Sequence, residues 1–138
     1  MDDGDDRKAI ADAVQAFGEA LNRQDFAAAL AMVADDAVFW PDAAPETRGK
    51  DSMAAAYERL AGFVMHASFD IEEILQSGNL ALVRGSERFR LEPRAGGDAI
   101  VLDGRRAFSV WERQSDGSWR NTRGMTNWAA PRPTPPAR

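Results

Sequence analysis

The sequence predicts an α+β fold: three N-terminal helices packed on a strongly curved, mainly antiparallel sheet, a cone-shaped α+β barrel with an internal pocket. Three observations carry this. Apolar residues first recur at helical spacing and then, from Ser68 onward, at strand spacing. Turn signals separate the later runs into long strands with no helix between them. Helices first and strands later fit helices laid on one face of an antiparallel sheet, not a parallel βαβ arrangement. Long antiparallel strands twist and coil, and a coiled sheet closed by a helix leaves a cavity.

The elements follow in order. Residues 1–6 read as a disordered acidic tail. Ile10, Val14, Phe17 and Leu21, spaced four, three and four, form the apolar stripe of a first helix. Asp25 caps a second, shorter helix that buries Phe26, Ala29, Leu30 and Val33. Ala37–Trp40 reads as a short strand, ended or placed at an edge by Pro41. Residues 42–50 form a loop. Asp51 or Ser52 starts a third helix through about Phe63, with Met53, Tyr57 and Leu60 on one face. Strands follow at 68–75, 80–91, 100–113 with a bend at Gly104, and 119–128. Asp116-Gly117 is a hairpin signal between the last two. The single domain therefore spans 7–128, and the proline-rich segment 129–138 reads as disordered.

Composition narrows the function classes. The 138 residues suit one domain, 44% are hydrophobic and 28% charged, and there is no cysteine. Disulfides, thiolate nucleophiles and cysteine metal sites are thereby excluded. The net charge is -5, with 16 acidic against 6 basic residues over 1–83 and 6 against 11 over 84–138. An acidic chain makes a poor general ligand for nucleic acid, while its basic half attracts small anions locally. No apolar run approaches a membrane span, and the acidic start lacks the pattern of a signal peptide. These features predict a cytoplasmic protein. No phosphate loop, nucleophile elbow or metal motif is present, so no cofactor and no metal are expected.

Local strings in this order resemble the nuclear transport factor 2-like superfamily, in its SnoaL-like and ketosteroid-isomerase-like branch of small bacterial proteins. They are Phe17 through Asp25 (FGEALNRQD), Met32 through Val38, Arg48-Gly49-Lys50 with Met53 and Tyr57, Gly78 through Ala81, Phe108 through Arg113, and Asp116 through Arg120. The resemblance covers residues 7–128 and implies the fold, not a reaction, because this scaffold hosts isomerases, cyclases, dehydratases, hydrolases and non-enzymes. The steroid isomerases it resembles use a Tyr on the first helix, an Asp general base after the first strand and an Asp oxyanion donor on a later strand. The corresponding positions here read Phe17, Pro41 and Arg106. A phenyl ring has no proton to donate and proline has no carboxylate, so ketosteroid isomerisation is not expected.

Other candidates follow from alternation and residue chemistry. Glu87 shares a strand face with Val83 and Phe89. Arg106, alternating with Phe108 and Val110, is expected to share their inward face and to pair with Glu87, since an unpaired buried charge is costly. Asn121 and Arg123, alternating with Trp119 and Met125, are expected on the concave face. Asp42 and His66 are the candidate catalytic bases; the plain alternatives are a solvated loop residue and a boundary histidine. The expected ligand-binding walls are Phe17, Trp40, Tyr57, Glu87, Phe89, Arg106, Phe108 and Arg123, with Tyr57 as donor. Trp111 reads as outward-facing and predicts a homodimer through the outer sheet face.

Three functions compete on this reading. One is a cofactor-free isomerase, cyclase or hydrolase acting on a small, partly apolar carbonyl or anionic compound, with Arg106 and Tyr57 holding the oxyanion. A second is a non-catalytic domain that captures a small-molecule ligand through Arg106 and Arg123. The third is a dimeric assembly domain. A deep cavity with a carboxylate beside Arg106 would favour the first, a cavity with arginine but no free carboxylate the second, and a cavity filled by Trp40, Phe63 and Phe89 the third.

Overall fold

The computed structural model describes residues 3–129. Helix α1 (Asp3–Asn22) and short helix α2 (Phe26–Ala31) lead into strand β1 (Val33–Trp40), a two-residue strand β2 (Thr47–Arg48) and helix α3 (Gly49–Glu58). Four long strands follow: β3 (Phe63–Ser77), β4 (Leu80–Pro93), β5 (Ile100–Arg113) and β6 (Trp119–Trp128). They form one six-stranded sheet in the order β2-β1-β6-β5-β4-β3. Strands β1 and β6 run parallel; every other neighbouring pair is antiparallel. The expected α+β architecture is therefore the observed one.

Helix α1 buries the stripe read from the sequence. Ile10, Val14 and Leu21 are buried, and Phe17 packs on Phe69 with ring centroids 6.2 Å apart. Asp25 caps α2 as expected, accepting from the Ala28 N–H at 3.1 Å. Two corrections concern the helix ends. Of the expected tail 1–6, Asp3–Asp6 belong instead to α1, where Asp6 is buried against Arg113 of β5, and residues 1–2 lie outside the described residues. Helix α3 ends at Glu58, and Phe63 already belongs to β3. Of the segment 129–138, all beyond Ala129 lies outside the described residues.

Strand β3 is an edge of the sheet, and side-chain amides cover part of it. Asn22 donates to the Ala67 carbonyl at 2.9 Å, and Gln24 donates to the Met65 carbonyl at 2.8 Å. Both amides also accept from the N–H groups of those same residues. A row of open main-chain groups is thus closed by the end of α1 and the turn after it.

Bulges curve the sheet. An extra residue interrupts β3 between Ile71 and Glu73, β5 between Leu102 and Arg105, and β6 between Asn121 and Arg123. Each bulge bends its strand and raises local twist. The β5 bulge contains Gly104 at φ 77°, a conformation that favours glycine. Gly85 allows the tightest approach: a Cβ there would lie 2.0 Å from the Asp70 carbonyl oxygen. The curved sheet wraps α1 and closes the narrow end of the cone with Ile10, Val14, Ala81, Val83, Trp111 and Trp119.

Candidate active site

A cavity of about 440 Å³ lies between the concave sheet face and helices α1 and α3. It exists because the inner positions at mid-sheet are small. Successive rungs across β4, β5 and β6 read Gly85, Ala107, Thr126 and then Val83, Ser109, Gly124. Larger residues at these positions would fill the space. Phe17, Tyr57, Leu60, Phe69 and Phe89 supply apolar walls. A cavity of this volume, mostly apolar with few polar groups, is typical of small-molecule sites.

Glu87 occupies the next rung and is 8% exposed. Its partner is Arg105, with Nη2 3.3 Å from Oε1. The Glu87 carboxylate accepts no hydrogen bond among the described residues. Burial pushes its carboxyl above the ordinary value, and the Arg105 guanidinium only partly offsets this. Arg105 lies over the Phe89 ring at 5.4 Å and donates to Thr126 Oγ1 at 2.9 Å, while its buried Nε–H has no partner among the described residues. The Thr126 oxygen also accepts the Asp42 N–H at 3.2 Å. With its oxygen accepting twice, the Thr126 hydroxyl keeps its own proton for a ligand.

Tyr57 lines the cavity and stacks on Phe26, with ring centroids 5.0 Å apart. Burial pushes its phenol well above the ordinary value, so it remains a donor at neutral pH. Phe17 and Phe89 line the cavity as expected. Trp40 stands at the rim, 58% exposed, held by its indole N–H on Glu46 Oε1 at 2.8 Å. Phe108 is 45% exposed and borders the outer groove as well as the cavity.

Several expected placements are corrected. Arg106 faces outward, where it donates to Asn127 Oδ1 at 3.0 Å and to the Trp128 carbonyl. The inner face of β5 carries Arg105, Ala107, Ser109 and Trp111 instead. Trp111 is therefore 2% exposed, with its N–H on Ser109 Oγ at 3.1 Å, and offers nothing to an outer-face dimer contact. Arg123 is outward because the bulge at Thr122 reverses alternation: Asn121 pairs with inward Trp111, Arg123 with outward Val110. It binds the Asp36 and Thr122 carbonyls. His66 is exposed on the outer face, 3.6 Å from Glu92, because its neighbours Met65 and Ala67 point inward. Asp42 is half-buried beside the site, but its carboxylate accepts the Trp128 indole N–H and does not line the cavity. Sequence reasoning missed Arg105 and Thr126; the one available signal was Gly104, whose bulge sets the face of the residues after it.

Among the described residues, no cluster of three or more His, Asp or Glu is placed to hold a metal, and no helix is long and apolar enough to cross a membrane. Comparison with known proteins adds the family. The SnoaL-like domain matches residues 14–122, most of the chain. The chain belongs to the SnoaL-like domain family. A search of curated proteins found no match. Among solved structures, this SnoaL-like chain is similar to a conserved protein from Planctomyces limnophilus at 28% identity and TM-score 0.82, over 88% of this chain and 94% of that one. A ketosteroid isomerase-like protein from Erwinia carotovora atroseptica matches at 26% identity and TM-score 0.76, over 90% and 96%. A nuclear transport factor 2-like superfamily protein from Salmonella enterica shares the fold at 17% identity and TM-score 0.76, over 89% and 90%. The SnoaL-like scaffold here presents the buried Glu87 carboxyl and the largely buried Arg105 guanidinium to a mostly apolar cavity.

Proposed function

We propose that the chain is a cofactor-free acid–base enzyme acting on a small, largely apolar carbonyl compound. Glu87 is the proton-transfer group; Arg105 and Thr126 hold the oxyanion. One observation carries the reading: a desolvated carboxyl without a hydrogen bond sits beside an arginine with spare donors and faces an apolar cavity. A carboxyl pKa raised above its ordinary value makes the carboxylate a stronger base. The Glu87 carboxylate removes a proton from the carbon next to the carbonyl, and the C–H electron pair moves to the carbonyl oxygen. The enolate oxygen rests on Arg105 and Thr126, and neutral Glu87 returns the proton. Ketosteroid isomerisation stays outside this proposal, because Phe17 lacks a proton to donate and the inner β5 positions Arg105, Ala107 and Ser109 offer no carboxylic acid.

Deuterium incorporation tests the reading whatever the product. A panel of apolar ketones sized to the cavity is incubated with protein in D2O and followed by proton NMR. Wild type should accelerate exchange of at least one ketone, and Glu87→Gln should lose roughly 10²- to 10⁴-fold. The unpaired Arg105 Nε–H favours a second reading, anion capture without chemistry. That reading wins if ligands bind in an Arg105-dependent way and no ketone exchanges.

A further inference from the structure

We infer that the cavity holds a second polar subsite at Asn121, which selects an elongated ligand with a hydroxyl or amide at the end away from Arg105. This inference deepens the acid–base reading and rests on the same cavity. Asn121 lines the cavity one rung beyond Ser109, beside Trp111. Its Oδ1 is buried with no hydrogen-bond partner among the described residues. Its main chain is already used, with the N–H on the Met32 carbonyl at 2.9 Å. Buried amides in folded proteins are normally satisfied, so an unpaired one inside a ligand-sized cavity points to a partner supplied from outside the chain.

The neighbouring polar groups are engaged with one another. Trp111 donates to Ser109 Oγ at 3.1 Å, and the Ser109 hydroxyl is directed at the Val83 carbonyl at 3.5 Å. Asn121 is therefore the group left to meet a ligand at this end. At the other end Arg105 leans one rung inward, onto Thr126. Thr126 and Asn121 stand two rungs apart on the inner face, a span of about 13 Å along the strands. Between them the inner residues are Ser109, Gly124 and Val83. The matching ligand is a largely apolar body with a carboxylate or carbonyl at one end and a donor-acceptor group, a hydroxyl or amide, at the other. An amide offers Asn121 both complements, and a hydroxyl offers either one.

Isothermal titration with paired probes tests this. A saturated ω-hydroxy fatty acid of about ten carbons, the length of the two-rung span, is compared with the fatty acid lacking the hydroxyl. Wild type should bind the hydroxylated probe about tenfold tighter, the effect of one net hydrogen bond. Asn121→Leu should erase that preference while keeping the affinity for the plain acid; Asn121→Ala provides a second variant should the leucine protein fail to fold. Equal binding of both probes by wild type, or a preference that survives both substitutions, overturns the subsite. Loss of deuterium exchange with the probe preference intact would sink the acid–base reading alone, so the two failures are distinguishable.

Discussion

Strand β5 carries two inward arginines, each paired with a buried acid, and the two pairs are built differently. At the narrow end Asp6 accepts from Arg113 at 2.6 Å and from Gln76 at 3.2 Å, and the Arg113 guanidinium lies over Trp119 at 4.9 Å. At the cavity Glu87 has only Arg105 among the described residues, at 3.3 Å and without a hydrogen bond. In the first pair the carboxylate accepts two hydrogen bonds and ties the start of α1 to the end of β5, although the Arg113 Nε–H, like that of Arg105, has no partner among the described residues. The second is under-satisfied, and the cavity occupies the place where further partners would stand. Similar charges on one strand thus serve closure at one end and chemistry at the other, according to how many hydrogen bonds surround the carboxylate.

The sharpest way to break this comparison is to remove each acid. Asp6→Ala should cost roughly 3 kcal/mol in urea unfolding, because it leaves Arg113 unpaired in a largely buried position; the lower end of the usual range applies since Arg113 is partly exposed. Glu87→Gln should cost less, about 1 kcal/mol, because its amide oxygen still stands beside Arg105 as an acceptor and Arg105 keeps its bond to Thr126. If Glu87→Gln proves the more destabilising, the cavity pair is structural and the functional contrast fails.

A smaller effect concerns pH. The Glu87 carboxyl has a folded-state pKa above its ordinary 4.5, so the folded protein holds this proton more tightly than the unfolded chain. Its contribution to stability is fully present below about pH 4.5 and is lost as pH rises through the raised value. Wild type should therefore lose stability relative to Glu87→Gln as pH rises above about 4.5 and through the raised value, seen as diverging melting temperatures. Parallel curves would show that Arg105 fully compensates the burial. Under the acid–base reading, exchange should rise over the same window as Glu87 ionises.

How much of this is legible in the sequence depends on how unequal the two faces of each element are. Helix α1 is readable because Ile10, Val14 and Leu21 stand against charged neighbours. Strand β4 is readable because Val83, Glu87 and Phe89 alternate with Arg84, Arg88 and Arg90, and a face with three arginines does not belong in a core. Strand β5 offers no such contrast. One face holds Arg105, Ala107, Ser109 and Trp111, the other Arg106, Phe108, Val110 and Glu112, so each has an arginine and apolar groups. A one-residue shift exchanges them, and the bulge that decides is visible only as Gly104. On β6 the extra residue Thr122 separates Asn121 from Arg123, which simple alternation places together. The Asp6–Arg113 pair joins residues 107 positions apart, beyond the reach of any local pattern.

The smallest expected effect is also the cleanest check on β5. Arg106→Ala removes an exposed side chain whose bonds are to Asn127 and a carbonyl on the same outer face. It should change stability by no more than about 0.5 kcal/mol, as exposed substitutions usually do. It should also leave binding of the cavity probes within about twofold, because the guanidinium stands on the far side of the sheet from the cavity. Arg105→Ala, one residue away, should weaken carboxylate binding at least tenfold, the effect of losing a charged hydrogen bond. Two adjacent arginines with opposite outcomes would establish which face of β5 meets the ligand, since along a strand successive side chains point to opposite sides. Equal losses would mean that neither guanidinium acts directly and that the effect is one of field, in which case added salt should abolish both.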